Sequence, residues 1–294
     1  MSKAKVFFTK EITPQSLVRI YEAMETELKG KVAVKISTGE PGGHNFLQPE
    51  LIATLVSKLR GTIVESCTAY KGRRLNPDDH WKSIEEHGFL AIAPCDILDE
   101  KEDMEIPVKD GINLSKNIVG KNIGNYDSML MLSHFKGHIM GGFGGALKNM
   151  SIGIASTRGK TYIHTAGKTT DYRVMFDNLP EQDVFLECMA DACKSVIDFM
   201  GSENIIYINV ANRLSVDCDC SDHPKEPEMG DLGIFASTDP VALDQACYDA
   251  VVNSPDEGKA SLIERMNSRN GIHIVESACK LGLGVREYEI INID

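Results

Sequence analysis

Along this chain, short and continuously apolar runs alternate with longer segments whose apolar positions recur every three to four residues. The runs at 5–9, 32–37, 62–67, 90–93, 128–134, 205–210, 232–236 and 288–293 predict strands. The segments 14–28, 49–59, 183–200, 240–252, 262–269 and 273–281 predict helices, several opened by proline or closed by glycine. Strands with no polar alternation are those buried on both faces, and their alternation with helices predicts an α/β fold: a mainly parallel sheet with helices on both faces. The 294 residues read as one α/β domain. If it divides into two lobes, the boundary falls at 200–230, where Gly201 and the irregular stretch 214–231 interrupt the pattern.

Composition narrows the partners. The 31 basic residues are outnumbered by 43 acidic ones, for a net charge of −12, which argues against nucleic acid and anionic membrane and favours a small-molecule substrate or anion. No run approaches the roughly 18 apolar residues of a membrane span, and the opening MSKAKVFFTKE lacks the apolar core of a signal peptide. The expected location is the cytoplasm. In that reducing compartment the eight cysteines are not expected to form disulfides. Cys188, Cys193, Cys247 and Cys279 fall in helical patterns and read as small core residues.

The candidate chemistry concentrates between His134 and His164. There a buried strand (SMLML, 128–132) is followed by His134 and His138, then Gly141, Gly142, Gly144 and Gly145, then a helical stretch at 146–152 carrying Lys148 and Asn149. Glycines between strand and helix let backbone amides approach a ligand, so a phosphate, carboxylate or carbonyl oxygen is expected at the start of that helix. Neither GxGxxG nor GxxxxGK[ST] is present, which excludes the common nucleotide fingerprints. A lysine desolvated near other cations has a lowered pKa, making Lys148 a candidate nucleophile. His134 and His138 are four apart but outside a helix, so their spacing alone does not specify a metal pair.

In parallel sheets, ligands gather beyond the carboxyl ends of the strands. Lys35 and GEPGGHNF (39–46), Glu65, Cys67 and the 70–74 turn, and His134 with His138 all follow strand runs and are expected to share one rim. Cys218-Asp219-Cys220 joins them. Two thiolates one residue apart supply half of a tetrahedral metal or iron–sulfur ligand set; Cys67, Cys95, His223 or a second copy in a homodimer would supply the rest. Asp239, ahead of Pro240, reads as a helix N-cap, and Asp244 one turn later is placed to face the basin.

These motifs resemble the family called domain of unknown function 362. The resemblance rests on HFKGH (134–138), GGFGGALKN (141–149), GK-x-x-x-H (159–164), GEPGGHNF, IVES (63–66), DCDC (217–220) and FASTDPVALDQACYD (235–249), and spans nearly the whole chain. It implies an iron–sulfur, 4Fe–4S-type cluster and hence a redox protein or oxidoreductase with a redox partner protein. The chain departs from longer relatives in having no CxxCxxC run after His164. A more distant resemblance is to the nickel-pincer lactate racemases, which share the spacings His138 to Lys148 and Lys148 to His164. It implies His138 as proton-transfer base, Lys148 as cofactor tether and His164 as ligand of nickel or another transition metal. NMSIG (149–153) replaces the proline-containing turn of those enzymes.

Three readings follow. The first is an iron–sulfur redox protein with metal ligands Cys218, Cys220 and His164, catalytic His134, His138 and Lys148, and a cofactor seat of Gly141, Gly142, Gly144, Gly145, Lys148 and Asn149. The second is a racemase-like enzyme with a lysine-tethered metal cofactor. The third is a non-catalytic protein that binds an anion or other small molecule.

Overall fold

Seven of the eight apolar runs become strands of one eight-stranded sheet in the computed structural model, which describes residues 3–294. From edge to edge the strands are Tyr288–Asn292, Ala4–Thr9, Gly233–Ser237, Ile205–Ala211, Ser128–His134, Val32–Lys35, Thr62–Glu65 and Cys95–Ile97. All neighbours pair in parallel except the two pairings made by Gly233–Ser237. The α/β expectation therefore holds. Residues 90–93 form no strand. A 3₁₀ turn occupies Phe89–Ala91, Leu90 is exposed, and the edge strand begins only at Cys95. Pro94 is the reason: it has no N–H to enter a ladder, and its carbonyl accepts from Ile63 just before pairing starts.

Both faces of the sheet are covered, and the two-residue period of the strands divides the core in two. Met129 and Met131 join one cluster with Leu147, Ile163, Phe185 and Leu243, whereas Leu130 and Leu132 join another with Leu17, Ile20, Leu55 and Ile84. Burying each such side chain contributes about 1.5–3 kcal/mol. The helices on the second face are Pro14–Ala23, Pro49–Leu59 and Pro77–Glu86, each with proline in its first turn. Pro14–Ala23 stops short of residue 28 because Met24 caps it and Glu25 turns left-handed, φ 52°. No helix among the described residues is long and apolar enough to cross a membrane.

Two short hairpins were not legible as strand runs. Asp103–Pro107 pairs with Lys116–Gly120, and Lys136–His138 pairs with Gly142–Gly144. The second hairpin changes the expected strand, glycine turn and helix into strand, hairpin and helix. With period two, Lys136 and His138 share one face of it. Gly142 makes its bend: φ is +80°, and a Cβ there would lie 2.8 Å from Gly271 Cα.

Candidate functional site

The carboxyl ends of three parallel strands deliver Lys35, Glu65 and His134 to one rim, where the hairpin and the Cys218–Cys220 loop close over them. Together they line a cavity of about 540 Å³. Its polar wall is cationic despite the acidic composition of the chain. Lys35, Arg74, Lys136, Lys148 and Lys160 all line it, and each is buried or, for Lys148, half-buried.

Most of these cations are held by carboxylates. Lys35 Nζ lies 3.0 Å from Glu65 Oε2, and Arg74 bridges Glu65 and Glu40, with Nε 2.8 Å from Glu40 Oε2. Burial raises the Glu65 pKa, but Lys35 and Arg74 more than offset this and hold it well below the usual carboxylate range. Asp219 is held from two sides: His134 Nδ1 is 2.7 Å from Oδ1, and Lys136 Nζ forms an ion pair 2.8 Å from Oδ2. Burial again opposes ionisation, and Lys136 and His134 again overcome it. Lys160 differs. Its Nζ donates to the Ala155 carbonyl, 2.5 Å away, and makes no ion pair among the described residues; burial lowers its pKa to about 8.

Asp219 also sets the conformation of the cysteine loop. Its backbone carbonyl accepts from Glu40 N–H while its side chain is anchored inward. Cys218 is buried and Cys220 half-buried, so this is no solvated acidic loop. One ligand atom from each of His138, Cys218 and Cys220 lies within 4.8 Å of the others, an arrangement able to hold a metal ion. A hydrogen bond from Cys220 favours the Cys218 thiolate against the cost of burial, and Lys148 and His138 add to it, so the thiol titrates well below its ordinary value. Cys220 is pushed the other way, chiefly by its hydrogen bond to Cys218.

The expectation that Lys148 is a lowered-pKa nucleophile is corrected by this pairing. Burial does lower its pKa, but the Cys218 and Cys220 sulfurs and Asp219 outweigh it, and the net shift is upward. Lys148 Nζ stands 3.8 Å from Cys218 Sγ as a cation. In the pair it is the sulfur whose ionised form is favoured.

The three histidines differ in which nitrogen is free. His134 faces Asp219 with Nδ1 and the Asn212 carbonyl, 2.7 Å away, with Nε2, so neither nitrogen is left for proton transfer or a metal. It positions the loop. His138 Nδ1 accepts the Gly141 N–H at 2.8 Å, which leaves Nε2 as the protonated nitrogen of the neutral ring. His164 Nδ1 lies 2.6 Å from the Lys160 carbonyl, to which it donates; Nε2 keeps its lone pair, the usual arrangement of a ligating imidazole. Burial lowers the His164 pKa to about 4, so the ring is neutral at pH 7. His164 lines the cavity but lies outside the compact His138–Cys218–Cys220 group.

The expected anion seat at the helix start is already filled. Ala146 and Leu147 N–H donate to the two carboxylate oxygens of Asp244, at 2.8 and 2.9 Å, in a helix of only six residues, Ala146–Ser151. Asp244 is therefore buried beneath the glycines rather than facing the basin, and a Cβ at Gly145 would meet its Oδ1 at 2.4 Å. Gly144 and Gly145 line the cavity, and Gly141 is spent on His138. Asn149 also lines it, but its amide donates to the Lys35 carbonyl and Ser133 Oγ, tying the helix to two strand ends. Asp239 is the N-cap of Pro240–Asn253, as its sequence position predicts.

The remaining ligand candidates are elsewhere. Cys67 packs by Asp99 and Cys95 lies on the edge strand; burial pushes both thiols up to about 12. His223 is exposed. Lys160 is the functional candidate that residue patterns passed over; its only signal was the GK-x-x-x-H stretch, and nothing local distinguishes a buried lysine from a solvated one.

No curated protein matches the chain by sequence. Among solved structures, the lactate racemase apoprotein from Thermoanaerobacterium thermosaccharolyticum is 12% identical, with a TM-score of 0.47 over 83% of this chain and 56% of that one. A protein from Thermotoga maritima is 11% identical, with a TM-score of 0.44 over 82% of this chain and 59% of that one. The chain spans less than two thirds of the length of either. Residues 32–249, most of the chain and all of the Cys218–Cys220 loop, match the family described as Domain of unknown function (DUF362), and the chain belongs to that family.

Proposed function

We propose that this protein is a metal-dependent enzyme acting on a small anionic substrate within the cavity. The observation that carries the reading is the pair of cysteine sulfurs, Cys218 and Cys220, with the His138 ring beside them within 4.8 Å, in the wall of a cavity otherwise rich in buried cations. Thiolate ligands suit soft or borderline transition metals, and the neighbouring Lys148 already favours the thiolate form of Cys218. A bound ion would supply Lewis-acid or redox chemistry.

The donor set fits through the two sulfurs more readily than through His138. With Nδ1 accepting from Gly141, ligation by Nε2 would require a ring without any proton. His138 is thus suited to hold and transfer a proton at Nε2 beside the sulfurs, while Lys160 and the carboxylate-held cations orient the anion. His164, with its free Nε2, is the imidazole suited to ligation.

The iron–sulfur reading is narrower. Cluster ligation by four cysteines would need two beyond Cys218 and Cys220, supplied by a second copy or another chain. The racemase-like reading asks Lys148 to react as a neutral amine, against its pairing with Cys218.

Metal and sulfide analysis of protein purified anaerobically, with a Cys218→Ser, Cys220→Ser variant alongside, tests the proposal. One transition metal per chain, lost in the variant and without acid-labile sulfide, is the expected result. Metal-free protein would overturn it, and iron with stoichiometric sulfide would put the cluster in its place.

A further inference from the structure

The cavity is polar at its floor and apolar at its mouth. The floor holds Lys160, whose ammonium has three donors and uses one, on the Ala155 carbonyl. Lys35, Arg74 and Lys136 each have a carboxylate partner and Lys148 has the Cys218 sulfur, so Lys160 is the buried cation of the lining that has no ion pair among the described residues. At the mouth, Ile139, Phe176 and Leu179 line the same cavity and are 55%, 61% and 41% exposed. They are three of the eight large apolar side chains exposed among the described residues, and Val174, beside Phe176 in the Tyr172–Asn178 turn, is a fourth. Met140, Met175 and Phe185 continue the apolar lining inward. Exposed apolar residues scattered singly need no explanation, but a group rimming one opening does. The one exposed charge in the lining is also positive, Arg269.

We infer that the cavity takes an amphipathic monoanion, a carboxylate head carried on an acyl or aryl body, with the head directed to Lys160 and the body against Phe176, Leu179 and Ile139. The inference names the substrate class of the site proposed above and rests on that reading. The charge order supports a ligand over a protein partner. The exposed apolar side chains line the same cavity as the buried Lys160, so a ligand that fills it would meet both. A volume of about 540 Å³ exceeds what a two- or three-carbon acid fills and lies within the usual range of small-molecule sites.

Calorimetric titration of the protein as purified with acetate, octanoate and octylammonium tests this, with metal content measured on the same samples. Octanoate is expected to bind at least tenfold more tightly than either of the other two. Lys160→Met should remove the preference for octanoate over octylammonium, and Lys160→Arg, which keeps the charge, should retain it. Phe176→Ser should reduce the preference for octanoate over acetate. Equal affinity for acetate and octanoate, or for octanoate and octylammonium, would overturn the inference. So would sedimentation showing a dimer that Phe176→Ser dissociates, because a second copy would then cover the rim. Metal-containing protein without the octanoate preference would sink this inference alone, whereas metal-free protein with it would sink the metal proposal alone.

Discussion

Lys148 Nζ lies 3.8 Å from Cys218 Sγ, joining two residues 70 positions apart in a cavity wall. Neither can be assigned a role without the other. The ammonium favours the thiolate, and the thiolate keeps the lysine charged, so the pairing exchanges the roles that each residue suggests alone.

Removing the cation should therefore raise the Cys218 pKa. In metal-stripped protein, the pH midpoint of Cys218 alkylation by iodoacetamide is expected to move upward in Lys148→Met and to stay near the parent value in Lys148→Arg. A midpoint unmoved in Lys148→Met would show that the pair does not form in solution.

The tautomers separate the histidines. Because His138 Nδ1 accepts from Gly141 and His164 Nδ1 donates to Lys160, His138→Gln is expected to retain most of the bound metal, and His164→Gln to lose affinity by about 10-fold or more. Metal stoichiometry after dialysis against a competing chelator distinguishes them. Complete loss in His138→Gln would make that ring a ligand.

Asp219 is the carboxylate shared by the buried Lys136 ammonium and the buried His134 ring, and truncating it would leave both without that partner. Asp219→Ala should cost about 3–5 kcal/mol, read as a lower urea midpoint, with metal binding weakened as the loop loses its anchor. A loss under about 1 kcal/mol, the range of exposed pairs, would contradict the buried geometry.

His80 is fully buried, neither ring nitrogen finds a partner among the described residues, and burial lowers its pKa to about 3. Its folded pKa lies below the unfolded value near 6.5, so the unfolded state binds the extra proton first. Stability from this group is complete above about pH 6.5 and falls as pH drops toward 3, by about 2 kcal/mol at pH 5. Urea unfolding at pH 7.5 and 5.0 should show this loss in the parent and a smaller one in His80→Leu. Equal losses in both would place the acid sensitivity elsewhere.

Strand identity was legible wherever burial on both faces demanded an unbroken apolar run, as in SMLML and IIYINV, and the rim position of Lys35, Glu65 and His134 followed from parallel pairing. The Lys136–His138 hairpin was not legible, because three-residue strands carry too few positions for a period to emerge. The helix start beyond Gly145 looked open, since Asp244, the carboxylate that fills it, is 98 residues from Ala146.

The amino-acid sequence by itself determined the α/β class, the family and the set of groups available for chemistry, because these depend on local periodicity and residue type. Tertiary structure alone decided their roles. It set Lys148 against Cys218, fixed the tautomers of His138 and His164, and buried Lys160 with no ion-pair contact among the described residues. Charge state and proton position depend on which groups meet within a few ångströms in a medium of low dielectric, and that is a property of the folded arrangement rather than of the order of residues along the chain.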